Sequence, residues 1–227
     1  FETSGLDKQN GFHSLVCCPT QVAVLGLDGN TLEEIGRYKS YIKGRYANGK
    51  YIGYSTTNDQ HYQEGAFKAT GISIEKLESE GKEAKQVCID LCNFFESIKS
   101  TSSFHKTIIV GANVSYDTPF LQYMFLFFKK DLSKYLQGYY DHKTNYQLVN
   151  FDTQFLSRAK PTNENLKNDL TSVALREGFE PQDMHDAMND VVITSEIFKK
   201  YIFQLRSSEA EGKAQAATYR DNFHFEY

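Results

Sequence analysis

The chain has 227 residues, with 24% charged and 14% aromatic side chains, which suits one sizeable folded domain with a real core. A formal net charge of −4 argues against a protein that coats long nucleic acid, because such binding rests on many Lys and Arg contacts to phosphate. It leaves room for an enzyme that grips a few nucleotides at an end, and no run approaches the roughly 20 apolar residues of a bilayer-crossing helix, so no membrane partner is expected.

Position 1 is Phe, with neither an initiator Met nor a charged-then-apolar leader after it, so Phe1 reads as an internal residue of a longer natural chain. Glu2 stands at the end of a first strand, followed by the small turn Thr3-Ser4-Gly5. Residues 21–27 are apolar and β-rich, Asp28-Gly29-Asn30 supplies a hairpin turn, and residues 32–42 resume as a third strand. The Gly- and Tyr-rich residues 44–62 lack periodicity and read as a long surface loop. Ala84, Val87, Cys88, Leu91, Phe95 and Ile98 recur at three- and four-residue steps and predict a helix with a buried stripe.

Residues 107–110 form a short apolar run ending at Gly111, consistent with a buried parallel strand. Thr118-Pro119 predicts a helix start, Thr as cap and Pro at the first helical position, with Phe120 to Phe128 on that helix. A tyrosine-rich connection over 136–146 precedes a short strand around 148–151. Residues 166–176 read as a helix ending at Gly178, and a final helix runs from about 186 to 205 with Val191, Ser195, Phe198 and Ile202 on one face. Strands first, then alternating helix and strand, imply an α/β fold with an antiparallel meander and a parallel part. The domain is expected to span residues 1–205, leaving 206–227 as a helical or flexible tail.

Cys17 and Cys18 are adjacent, and Cys88 and Cys92 share a helix face with no zinc-like spacing or His partner, so all four read as buried free thiols in a reducing cytoplasm. Three other segments carry chemistry: Glu2-Thr3-Ser4-Gly5-Leu6, Gly111-Ala112-Asn113-Val114-Ser115-Tyr116-Asp117, and His185-Asp186-Ala187-Met188-Asn189-Asp190. Alone, Asp117 reads as a carboxylate favoured by a helix dipole, Asp190 as a solvated helix residue, and His185 as a loop histidine. The ordered set reverses those readings. Phosphodiester hydrolysis is served by hard divalent cations held by carboxylates from separate elements.

In order and local setting these residues resemble the DEDD exonucleases, the histidine-bearing branch that includes the proofreading (epsilon) subunit of bacterial replicative polymerases and ribonuclease T. The resemblance covers residues 1 to about 201 and implies a ribonuclease H-like fold, a mixed central sheet flanked by helices. It implies two Mg²⁺ or Mn²⁺ ions with Glu2, Asp117 and Asp190 as ligands, and His185 as the group that deprotonates or orients water. That family's first motif is Asp-x-Glu, which places an aspartate immediately before Phe1. Thr3, Leu6, Phe67, Thr70 and Asn113 are the implied substrate contacts, with residues 65–72 as the loop near the terminal nucleotide. The implied activity is 3′-to-5′ hydrolysis of single-stranded or frayed DNA to nucleoside monophosphates, in replication or repair. An RNA-trimming enzyme of the same family and a noncatalytic nucleic-acid-binding module are the alternatives. Beyond the matched region, residues 207–227 are either a flexible tail or a docking segment for a polymerase or a second copy of the chain.

Overall fold

The computed structural model describes residues 1–4, 17–54, 62–99, 106–141, 145–159, 167–180 and 186–222. Strand β1 (Glu2–Thr3) pairs antiparallel with β2 (Pro19–Leu27), which pairs antiparallel with β3 (Glu34–Lys43). The β2–β3 turn closes as expected: the Asp28 carboxylate accepts the backbone N–H of Asn30 and of Thr31, each at 2.9 Å. Leu32 takes a left-handed φ of 61° there, and burial of its side chain to 5% exposure offsets the strain.

Residues 44–62 are not a structureless loop. Strands β4 (Arg45–Ala47) and β5 (Lys50–Ile52) form a hairpin in which Tyr51 and Ile52 are buried. Asn48 and Gly49 both have positive φ, 51° and 74°, the combination a tight two-residue hairpin turn of type I′ demands. Residues 55–61 of that stretch lie outside the described residues.

Helices α1 (Glu64–Thr70) and α2 (Ile74–Glu80) follow, so residues 65–70 are helical where a loop was expected. Gly71 ends α1 in the left-handed conformation (φ 66°), which a side chain would oppose. Strand β6 (Lys82–Glu83) adds to β3 in parallel, giving the sheet order β1-β2-β3-β6. Helix α3 (Ala84–Ser97) packs on β3 with the predicted stripe inward: Val87, Cys88 and Leu91 are fully buried and Phe95 nearly so. All four cysteines are buried and free.

The parallel part is a separate pair. Strand β7 (Ile109–Gly111) is joined residue by residue to a later strand covering Asn150–Asp152. Between them, α4 (Val114–Phe127) begins four residues before the expected Thr118. Asn113 starts it in the left-handed region (φ 57°), which Asn tolerates better than most residues, and Pro119 sits inside the helix rather than at its first position. The cost is the hydrogen bond Pro119 has no N–H to make. Phe120, Leu121, Met124 and Phe125 are buried as expected.

The tyrosine-rich connection is a hairpin of β8 (Gly138–Asp141) and β9 (Asn145–Leu148), leading into β10 (Asn150–Asp152). Helices α5 (Thr153–Ala159), α6 (Leu170–Arg176) and α7 (Ala187–Asn222) complete the order. α7 packs on β2 on one side and on α5 and α6 on another, where Ile197 and Tyr201 are buried with Val173 and Ala174; with Ala187, Thr194 and Ser195 also buried, its buried stripe is rotated from the expected one. Val191, Phe198 and Ile202 form its half-buried flank, and the helix backbone continues past residue 205 to Asn222. No helix among the described residues is long and apolar enough to cross a membrane.

Candidate active site

Three elements bring three acidic side chains into one electrostatic neighbourhood. Glu2 lies on β1, Asp117 in the first turn of α4, and Asp190 in the first turn of α7. Burial raises the Glu2 carboxyl to about 7 from an ordinary 4.5; the Phe1 ammonium opposes the rise, and the charges of Asp190, Asp117 and Asp186 add to it. The Phe1 ammonium is itself buried and donates to Asp117 Oδ1 at 2.7 Å. Burial alone would lower its pKa, but the charge and hydrogen bond of Asp117, then the charges of Glu2 and Asp190, raise it. The Phe1 nitrogen thus lies beside Asp117, and the Phe1 ring packs on Phe120 at 6.2 Å between centroids.

Asp186, not singled out in the sequence, caps α7. Its Oδ1 accepts the N–H of Met188 at 3.0 Å and of Asn189 at 3.3 Å, and its Oδ2 receives Lys39 Nζ at 2.6 Å. Burial would raise its pKa, and the hydrogen bonds from Lys39 and Gln21 with the Lys39 charge more than reverse that, holding it below the usual value. The signal was present: an Asp directly before a helical run is a favoured N-cap.

Among the implied substrate contacts, Thr3 is buried beside the cluster, its Oγ1 2.6 Å from the Tyr116 hydroxyl. Asn113 opens α4, its N–H donating to Asp152 Oδ1 at 3.0 Å, and lines a polar groove with Ser115, Gln154 and Arg158. Phe67 is half-buried, stacked on Tyr62 at 5.3 Å, and lines an open groove of about 440 Å³ with Lys50 and Tyr51. That groove is tied to β1 by the Gln63 N–H, which donates to the Ser4 carbonyl at 2.7 Å. Thr70 has its hydroxyl engaged locally, donating to the Ala66 carbonyl and accepting the Ile72 N–H. Leu6 and His185 lie outside the described residues.

Among the described residues no group of three or more His, Cys, Asp or Glu side chains is gathered closely enough to hold a metal ion. The donor chemistry nevertheless fits a hard cation: the groups are carboxylates that repel one another, and Glu2 is raised chiefly by burial and further by the charges of Asp190 and Asp117.

No protein-family model matches the sequence, and no curated protein matches it. Solved structures do. The chain shares the fold of exonuclease I. Escherichia coli exonuclease I in complex with a dT13 oligonucleotide is 22% identical with a TM-score of 0.62, covering 87% of this chain and 39% of that one. The zinc-ion-bound exonuclease I–ssDNA complex gives 22%, 0.62, 87% and 38%, and the product-bound exonuclease I gives 21%, 0.59, 87% and 41%. The chain therefore spans about two fifths of the length of these structures. The likeness bears out the expected α/β fold of the ribonuclease H-like class, with antiparallel and parallel strands flanked by helices.

Proposed function

We propose that the chain is a metal-dependent 3′-to-5′ exonuclease acting on single-stranded or frayed DNA ends and releasing nucleoside monophosphates. The observation that carries this reading is that Glu2, Asp117 and Asp190, from three separate elements, lie within electrostatic reach of one another around a half-buried carboxyl, with the charges of Asp190 and Asp117 helping to raise Glu2. The shared fold supports it, since its solved examples include complexes of exonuclease I with single-stranded DNA.

In this reading Glu2, Asp117 and Asp190 hold Mg²⁺ or Mn²⁺, which when bound lowers the pKa of water and stabilises charge on the leaving oxygen. His185, a histidine and so suited to proton transfer, takes the proton from the attacking water as its oxygen bonds to phosphorus and the bond to the upstream 3′ oxygen breaks. Thr3, beside the carboxylates, meets the terminal nucleotide. The Phe67 groove and Asn113 receive the strand in this reading. An aspartate preceding Phe1 completes the ligand set: any residue joined to the Phe1 nitrogen, 2.7 Å from Asp117, enters the same pocket, and that nitrogen is then an uncharged amide. The site's positive charge then comes from metal.

The test is incubation of full-length protein with matched 5′-labelled DNA and RNA oligonucleotides, with Mg²⁺, Mn²⁺ or chelator. Stepwise shortening from the 3′ end that stops on chelation is expected, faster on DNA. Binding without shortening would refute the proposal, and preferential RNA shortening would move it to the RNA-trimming alternative.

A further inference from the structure

The first four N–H groups of a helix have no partner within it, so a buried helix start needs acceptors from outside. In α7 three of the four are met by Gln21 and the Asp186 side chain, and the next N–H, of Asp190, makes the first bond of the helical ladder. The Ala187 N–H donates to Gln21 Oε1 at 2.9 Å, those of Met188 and Asn189 to Asp186 Oδ1, and that of Asp190 to the Asp186 carbonyl at 3.0 Å. Gln21 is fully buried on β2, and its other amide atom, Nε2, donates to Asp186 Oδ2 at 3.1 Å. The orientation of that amide is fixed by chemistry, because the Ala187 N–H can only donate and an ionised carboxylate can only accept. Neither Leu nor an ionised Glu meets both demands.

Gln21 is also the residue directly across the sheet from Glu2. One residue therefore fixes the position of Glu2 through the β1–β2 ladder and the first turn of α7, with Asp190, through its side chain. Lys39, two residues from the β3 partner of Gln21, adds a bond to the same Asp186 oxygen. We infer that Gln21 is a positioning residue that sets the spacing between the Glu2 and Asp190 carboxylates. This rests on the exonuclease reading, and deepens it.

The experiment compares wild type with Gln21→Met, which keeps the length and apolar stem and loses both amide bonds. Hydrogen exchange by NMR reads the clamp, and single-nucleotide release with saturating Mg²⁺ reads its effect on chemistry. Exchange at Ala187 is expected to accelerate about tenfold or more while the β2–β3 amides Val24 and Leu25 stay protected. Turnover per folded molecule is expected to fall by about 10–100-fold with KM for the oligonucleotide within about twofold, as for a misplaced but present catalytic group. Unchanged turnover per folded molecule, or protection lost evenly across the sheet, overturns the inference. If Gln21→Met does not fold, Asp186→Asn replaces it: the cap acceptor remains, but an amide nitrogen now faces Gln21 Nε2 and Lys39 Nζ, and the same split is expected. A wild-type protein without nuclease activity sinks the exonuclease reading, while the exchange data still decide whether Gln21 holds the helix start.

Discussion

Replacing Glu2 with Gln should make the protein more stable at neutral pH while removing its activity. In the folded state the Glu2 carboxyl titrates at about 7, against an ordinary 4.5. Between those values the folded chain holds a proton that the unfolded chain has lost, so stability is fully present below about pH 4.5 and declines as pH rises through 7. Full conversion of that shift is about 3 kcal/mol, at 1.36 kcal/mol for each pKa unit. Glu2 keeps an edge to solvent, which screens the interaction, so about 2 kcal/mol is the expected loss. Asp186 works with the opposite sign, contributing stability that is lost as pH falls, but it is common to both proteins and cancels in the comparison. Thermal unfolding of wild type and Glu2→Gln at pH 4 and pH 7.5 reads the difference. The two should nearly coincide at pH 4, and at pH 7.5 the variant should melt about 4–8 °C higher. Adding Mg²⁺ at pH 7.5 should close the gap by stabilising wild type alone. Parallel curves for the two proteins across this range would refute the reasoning, because Glu2 would then be an ordinary surface carboxylate.

Asp190→Asn should nearly abolish nucleotide release with circular dichroism unchanged, since shape is kept and a ligand charge is lost; near-normal turnover at saturating Mg²⁺ would remove Asp190 from the site. His185→Ala should slow single-turnover cleavage by about 10²–10⁴-fold with little change in oligonucleotide affinity, and the reverse pattern would make His185 a binding residue. Gly44→Ala should destabilise the fold by about 1–3 kcal/mol, because its Cβ would lie 2.4 Å from the Ile52 carbonyl oxygen and 2.8 Å from the Tyr62 hydroxyl. Gly29→Ala, with open space around it, is the control, expected within about 0.5 kcal/mol of wild type in urea unfolding.

Long periodic elements were legible in the sequence because burial imposes a repeat on them. The α3 stripe through Val87, Cys88, Leu91 and Phe95 is inward as read, and the Asp28 turn closes as read. The β4–β5 hairpin escaped notice although Asn48-Gly49 between Tyr46 and Tyr51 carries the I′ turn signal, because three-residue strands show no alternation to read. Helix α4 was placed late because Thr118-Pro119 imitates a cap, whereas the real start depends on a left-handed Asn113 held by Asp152 from a distant strand. Likewise the order of Glu2, Asp117 and Asp190 was visible in the sequence, but not the buried partners that set them. The Gln21 amide reaches the start of α7 across more than 160 residues, and no local pattern announces it, whereas the Asp186 cap is local and had its signal in an Asp before a helical run.

The same helix has a second anchor far from the first. Arg206 donates from Nη1 to the Asn30 carbonyl at 2.6 Å and from Nη2 to the Gly29 carbonyl at 3.0 Å, at the turn beyond β2. From Gln21 to Leu27 the strand covers about 20 Å before the turn carries the chain on to Asn30, and from Ala187 to Arg206 a helix covers about 29 Å. The helix is fastened at both ends, to β2 at one and to the turn beyond it at the other, like a rail held by a pair of ties. Slippage of α7 by one turn, about 5.4 Å, would break both fastenings together, so axial sliding is closed to it and only rolling about its own axis remains. Asp190, one turn from the first tie, has little room to roll.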